Sequence, residues 1–543
     1  MTPILTLPRP SGKRYARAPV PQQHLDRLSA VDAAFLHQES PTTQMHIGGV
    51  ILLEGPAPPF DDLREHVRSR LPLVPRYRQK LAAPPLGLGR QMWIDDPAFN
   101  LDYHLRHTAL PRPGGDDALR RLVGRLFTQR LDRTKPLWEL WVVEGLAGGR
   151  TALISKTHHA LVDGIAGVDL ATVLFDLDPE PHPIEPGDPW QPRPEPTGAE
   201  LAAASLRNAA RLPFRGLEAL GRVPSELAEA REAIEGLGEV VWAGLNPPPD
   251  TPLNVRIGPH RRFEVAPARL EDLKQIKDAF GGTVNDAVLA VVAGALQRWF
   301  HARGLRTEGL ELRACVPVSV RTADERGALG NRLTQLVAPL PIGVRDPVER
   351  LRLISEAMAG VKDSKQALGA QVIAGAQEFA PPTLLAQASR LNFSTRFFNL
   401  LVTNIPGPQV PLYVLGRKVE AVFPVPFLAG DRALAIAVMS YDGGMGFGLL
   451  GDLDAMADLV IVATGIEESL AELLALARGE EPPKPTPARR RSGKKAAAPT
   501  PAPLRFPSKP RAGGPAAARR AAVRKPRATT NGAPPKPKAP KGP

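Results

Sequence analysis

The residues in this chain best able to do chemistry are two adjacent histidines with Asp-Gly four residues on, in His158-His159-Ala160-Leu161-Val162-Asp163-Gly164. Histidine is scarce, 11 in 543 residues, so a pair beside an acid stands out. An imidazole takes up a proton near neutral pH, and a nearby carboxylate can fix its surroundings. Such a ring cannot hold a hydroxyl's proton outright. It can remove that proton as the oxygen attacks an electrophile, which is general-base catalysis worth about 10²–10⁴-fold. A lone histidine at a turn more often satisfies backbone groups; the paired arrangement favours catalysis.

Other chemistries fit less well. Adjacent histidines on an extended segment point to opposite faces, so they cannot easily share a zinc ion, and no metal is expected. The same geometry brings one ring of the two into a cleft. There is no Gly-x-Ser-x-Gly nucleophile elbow. Neither a Walker-type phosphate loop nor a convincing dinucleotide fingerprint occurs.

The elements around the pair are legible. Leu137 to Leu146 reads as a strand, Ala147-Gly148-Gly149 as a turn and Arg150 to Thr157 as a second strand, together a hairpin. After Gly164, IAGVDLATVLFDL has helical spacing, which places His159 on a short strand-to-helix loop and Asp163 at an N-cap. Farther along, 270–280 and 284–300 read as helices broken by Gly281-Gly282-Thr283. The runs 310–320, 400–404, 433–441 and 445–451 read as strands. Cys315, the single cysteine, lies in an apolar run and reads as a buried, inert thiol.

Composition divides the chain into a flexible start (1–23), a mixed α/β region (24–177), a Pro-rich and helical connector (178–254), a second α/β region (255–478) and a tail (479–543). The net charge of +13 belongs to the tail: residues 481–543 hold 17 Lys and Arg against one acid, leaving 52 basic and 55 acidic residues elsewhere. This Pro/Ala/Lys/Arg tail reads as disordered. Its single aromatic, Phe506, offers no stacking platform, so no specific nucleic acid is expected. The start lacks a signal peptide's features, and no apolar run approaches the roughly 20 residues of a membrane span. A cytoplasmic protein is the expectation. In Leu206 to Val223, Arg207, Arg211 and Arg215 recur at helical spacing, as in an interfacial helix. Pro213 is expected to interrupt it, which favours an interdomain helix with a solvated basic edge.

The HHALVDG segment is similar to the His-His-x-x-x-Asp-Gly signature of coenzyme-A-dependent acyltransferases and peptide-synthetase condensation domains. The chain resembles most closely the bacterial wax ester synthase/diacylglycerol acyltransferase family. The supporting pieces, in order, are LSAVDAAFLHQESPTTQMHIGGV (Leu28 to Val50), Pro136-Leu137-Trp138, Asn285-Asp286, VPVSVR (Val316 to Arg321), Gly330-Asn331, NIPGP (Asn404 to Pro408) and SYDGGMGFGL (Ser440 to Leu449). The resemblance covers about residues 24 to 478.

It implies two chloramphenicol-acetyltransferase-like, condensation-domain-like α/β sandwiches with an active-site tunnel between them. Acyl-CoA would be a substrate rather than a cofactor, and the acceptor a lipid alcohol, diacylglycerol or a long-chain alcohol. His159 would be the general base, with direct transfer and no acyl-enzyme. His158 would orient the loop, Asp163 would be a structural residue held by an arginine such as Arg321, and Gly164 would let the loop close. Asn285, Asp286 and Asn404 are candidates for the oxyanion site or tunnel wall, with helix capping and chain reversal as their other readings. His46 reads first as a strand residue. Lipid substrates imply peripheral contact with the membrane's inner face or lipid inclusions. Acylation of a polyketide or glycolipid hydroxyl, or a degenerate lipid-binding role, are the alternatives.

Overall fold

The computed structural model describes residues 25–87, 89–162, 173–181, 190–220, 246–319, 333–363 and 397–483. Asp163, Gly164, Arg321, Gly330 and Asn331 lie outside them, as do residues 1–24, 221–245 and 484–543. In the first half, strands β1 (Asp26–Arg27), β2 (His46–Leu53), β3 (Gln79–Ala82), β4 (Met92–Asp95), β5 (Leu105–Ala109), β6 (Trp138–Glu144) and β7 (Thr151–His158) are joined by helices. These are α1 (Ala30–Gln38), α2 (Phe60–Arg70), α3 (Leu101–His104), α4 (Asp116–Thr128) and the single turn α5 (His159–Val162). Helix α6 (Gly198–Leu220) comes after the Pro-rich stretch. The second half runs β8 (Arg261–Arg269), α7 (Leu270–Phe280), α8 (Val284–Ala302), β9 (Leu312–Ser319), β10 (Leu333–Leu340) and α9 (Pro347–Asp363). It ends with β11 (Leu400–Ile405), β12 (Tyr413–Val414), β13 (Arg417–Val425), β14 (Leu434–Tyr441), β15 (Gly444–Asp452) and α10 (Leu459–Ala477).

Two six-stranded sheets dominate, β12-β13-β2-β7-β6-β5 and β10-β9-β11-β14-β15-β8, with a small sheet β1-β4-β3 beside the first. Strand β13 belongs to the second half yet pairs antiparallel with β2, from Val425 opposite Gly48 to Val419 opposite Leu53. Sheet membership therefore does not follow chain order. Successive strand residues face opposite ways, and the cores obey that alternation. On the second sheet, Leu312, Ala314, Val316, Ile436, Val438, Phe447 and Leu449 pack under α7, α8, α9 and α10. The neighbouring residues Phe263, Cys315, Leu401, Ala435 and Leu450 face the other way. They share a core with Leu122, Val123, Leu126 and Phe127 of α4 and with Val50, Val143 and Ile154 of the first sheet. That shared core is the seam between the halves.

Glycines in β15 let β13 pass. A Cβ on Gly446 would lie 2.2 Å from the Val422 carbonyl oxygen, and one on Gly448 1.7 Å from that of Pro424. Backbone cannot yield as a side chain can, so Gly448→Ala should destabilise the protein by about 1–3 kcal/mol. Urea denaturation measures this; an unchanged midpoint would show that β13 shifts freely.

Pro213 does not break its helix. Helix α6 runs unbroken from Gly198 to Leu220, because an internal proline removes one backbone hydrogen bond and can kink a helix without ending it. Thr197 caps it: its hydroxyl accepts from the Glu200 N–H at 3.3 Å, and Glu200 accepts from the Thr197 N–H at 2.7 Å. No single described helix is long and apolar enough to cross a membrane. The pair α7 and α8 passes by length and composition together, but it is bent by 99° and α8 is buried from Asp286 through most of its length.

Candidate active site

A single helical turn begins at His159, with His158 at its cap; the helix expected after Gly164 and its expected cap Asp163 lie outside the described residues. Two backbone bonds hold this point: His158 N–H donates to the Leu137 carbonyl at 3.0 Å and His159 N–H to that of Met45 at 2.9 Å. The His158 Nδ1 then accepts from the Ala160 N–H at 3.1 Å, the bond an N-cap side chain makes to the second residue of a helix. Nδ1 is thereby the acceptor, and the ring's proton sits on Nε2.

That Nε2 lies 3.8 Å from Glu39 Oε2, and both side chains are 1% exposed. His46, opposite His158 in the β2–β7 ladder, lies 3.4 Å from the other Glu39 oxygen. Its Nε2 is also 3.4 Å from the Leu131 N–H. Arg133 donates to Glu39 Oε2 from Nε at 2.8 Å and from a terminal nitrogen, and Arg130 approaches at 3.4 Å. Burial alone would raise the Glu39 carboxyl. The His46 hydrogen bond and the charges of its neighbours outweigh burial and hold it well below the carboxylate range. Burial pushes His46 down to about 4 and His158 well below its ordinary value. At neutral pH the cluster is thus a carboxylate paired with arginines and flanked by two neutral imidazoles. On the same strand face, buried Lys156 donates to the Gln129 carbonyl at 2.5 Å, and burial lowers it to about 8.

His159 faces a different environment. Half-buried, its ring stacks on Phe35 of α1 at 3.9 Å between centroids and meets the edge of Phe427 at 5.5 Å. Phe35 comes from the first half and Phe427 from the second, so this imidazole sits at the seam. The expected division of the two rings is what the strand end produces.

The other candidates separate. Asn404 on β11 donates to the Asn285 Oδ1 at 3.5 Å, a long bond that brings these two together. Asp286 is a capping residue: Thr283 Oγ1 accepts from its N–H at 3.2 Å, and its carboxylate accepts from the Thr283 N–H at 2.8 Å. Trp138 is buried and donates to the Tyr77 carbonyl at 2.8 Å. Cys315 is buried, its thiol pushed up to about 12. Spacing and motif do not single out Phe35, Glu39, Arg133 or Phe427, and they show His46 only as a strand residue. The block Leu28 to Val50 contributes Phe35, Glu39, the Met45 carbonyl and His46 to one place, which is a physical reason for its form.

The two-sheet α/β architecture, with a histidine pair at the end of a central strand and one ring at the seam between halves, is a condensation-domain-type fold. The fold is shared with the first condensation domain of the CDA synthetase, at a TM-score of 0.52 and 16% identity over 83% of this chain and 96% of that one. The wax ester synthase/diacylglycerol acyltransferase of Marinobacter aquaeolei superposes at a TM-score of 0.59 with 28% identity, covering 83% of this chain and all of that one. A putative diacylglycerol O-acyltransferase of Mycobacterium tuberculosis is 34% identical over 471 residues, 83% of this chain and 90% of the relative. Family models for the wax ester synthase/diacylglycerol acyltransferase catalytic domain and C-terminal domain match residues 28–288 and 329–474. The chain belongs to the wax ester synthase/diacylglycerol acyltransferase family, and its activity class is O-acyl transfer.

Proposed function

We propose that this chain moves a long-chain acyl group from coenzyme A to the hydroxyl of diacylglycerol or a long-chain alcohol, with His159 as general base. The observation that carries the assignment of the base is the contrast between the two rings. His158 is buried with its acceptor nitrogen given to the Ala160 N–H, while His159 is half-buried between Phe35 and Phe427 at the seam. In this reading the His159 imidazole takes the acceptor's proton as its oxygen attacks the thioester carbonyl. The tetrahedral intermediate then collapses, the C–S bond breaks, and the imidazolium returns the proton to the departing coenzyme A sulfur. No acyl-enzyme forms and no resident cofactor takes part.

Asn285, whose Oδ1 receives the Asn404 amide, is the side chain we assign to the oxyanion or the tunnel wall. Asp163 and Gly164, outside the described residues, keep in this reading the loop-anchoring and loop-closing roles that the family resemblance implies. Both substrates partition to lipid surfaces, so the reading includes peripheral contact with a membrane or lipid inclusion. Leu86 and Leu206, 95% and 60% exposed, are suitable apolar contacts for it.

The test is release of free thiol from palmitoyl-CoA by the purified protein. Release should rise sharply on adding diacylglycerol or hexadecanol, with the matching ester formed. Equal release without either acceptor would mean thioester hydrolysis and would overturn the proposal.

A further inference from the structure

We propose that Arg261 of the second half is a positioning residue for His159, holding across the seam the segment whose Met45 carbonyl pins the histidine's backbone; this rests on His159 being the base. Arg261 opens β8 opposite Asp452 of β15. Its side chain is 2% exposed, and burial lowers its pKa to about 10. Among the described residues the nearest carboxylate, Asp452, is 4.0 Å away and is occupied by the N–H groups of Gly258, Asp454 and Ala455 at 2.7, 3.1 and 2.9 Å.

The guanidinium instead binds neutral acceptors in two directions. One terminal nitrogen donates to the Gly258 and His260 carbonyls at 2.8 and 3.0 Å, within the second half. The other donates to Gln44 Oε1 at 2.8 Å and to the Thr42 carbonyl, in the first half. Burying a cation against neutral oxygens is expensive, and an apolar side chain would seal a seam more cheaply. The arrangement makes sense as a fixture for Thr42 to Gln44.

Gln44 leads directly into the histidine site. Met45, fully buried, accepts the His159 N–H at 2.9 Å, and His46 is the cross-strand partner of His158. The arginine's acceptors thus adjoin, along the chain, the two residues that hold both histidines. The arginine's own backbone is also tied to the first half: its N–H donates to Thr128 Oγ1 of α4 at 3.1 Å, and a Cβ at Gly124 would come within 2.6 Å of its carbonyl oxygen. A lysine has one ammonium and cannot serve two diverging pairs of acceptors as a planar fork does.

The experiment measures kcat and KM for palmitoyl-CoA, and thermal unfolding, in Arg261→Met, Arg261→Lys and the milder Gln44→Leu, alongside His159→Ala. Either Arg261 change should lower kcat about 10–100-fold, the effect of displacing a catalytic group by roughly an ångström. KM should stay within about threefold, since displacing the base weakens the transition state rather than ground-state binding. Arg261→Lys should not rescue, and Gln44→Leu should shift kcat in the same direction while folding normally. A folded Arg261→Met or Gln44→Leu with parental kcat overturns the inference, as does a loss confined to KM. If Arg261→Met fails to fold, Gln44→Leu decides. An active His159→Ala would sink the base assignment instead, whatever the arginine variants do.

Discussion

His159→Ala should lower kcat by about 10²–10⁴-fold, the usual contribution of a positioned general base, with the protein still folded. Its stability should change little. The ring is half-buried, and its stacking on Phe35 contributes about 0.5–1.5 kcal/mol at most. His158 is the necessary comparison, because its losses have another origin. His158→Ala removes the N-cap bond to Ala160 and a neighbour of Glu39, so both stability and turnover should fall. Asparagine can accept the Ala160 N–H as a conventional cap, so His158→Asn should recover part of both. Thiol release and melting curves on the three variants check this. Retention of most activity in His159→Ala would refute the assigned base.

The local elements are legible in the sequence because hydrophobic period and turn chemistry are local. The hairpin from Trp138 to His158, the helix Leu270–Phe280 and the long helix from Val284 fall where their residues predict. The alternation that separates the two histidines is equally local, a property of any strand end. What escapes is long-range. Glu39 meets His158 only because α1 packs against the turn α5 that follows β7, and Arg133 reaches Glu39 across 94 residues of chain. No spacing rule reports a contact of that kind. Arg261 carries no signal beyond its charge, since an arginine at a strand start is ordinarily solvated. Strand β13 adds to the first sheet from the second half, and only the glycines of β15 record its passage. Histidine is not a customary cap residue, so cap preferences pass over His158.

Those long-range contacts set the second large expected effect. Glu39→Gln should lower turnover about tenfold or more through a misaligned His158 and the loop it caps, and should lower stability at pH 7.5. Stripping one partner from a fully buried ion pair usually costs about 3–5 kcal/mol. Here Arg133 and Arg130 are 34% and 46% exposed and can return to water, so the residual penalty falls on the two buried imidazoles. That is the cost of poorly satisfied buried polar groups, about 1–3 kcal/mol. Acid should weaken the parent by a related route. His46 is held down to about 4 by burial, whereas in the unfolded chain it takes its proton near 6.5. Between those values the unfolded state binds more protons, so stability is full above pH 6.5 and declines as pH falls toward 4, by on the order of 3 kcal/mol. The Glu39 carboxyl, held low, contributes stability above its ordinary range that is lost only at still lower pH. Urea denaturation at pH 7.5, 6 and 5 should therefore show a falling midpoint in the parent. His46→Asn, which keeps a polar group there without the titration, should lessen that decline, the remainder coming from His158 and His104, which burial also holds low. A Glu39→Gln protein as stable and as active as the parent at pH 7.5 would remove the carboxylate from any role in holding the histidine pair.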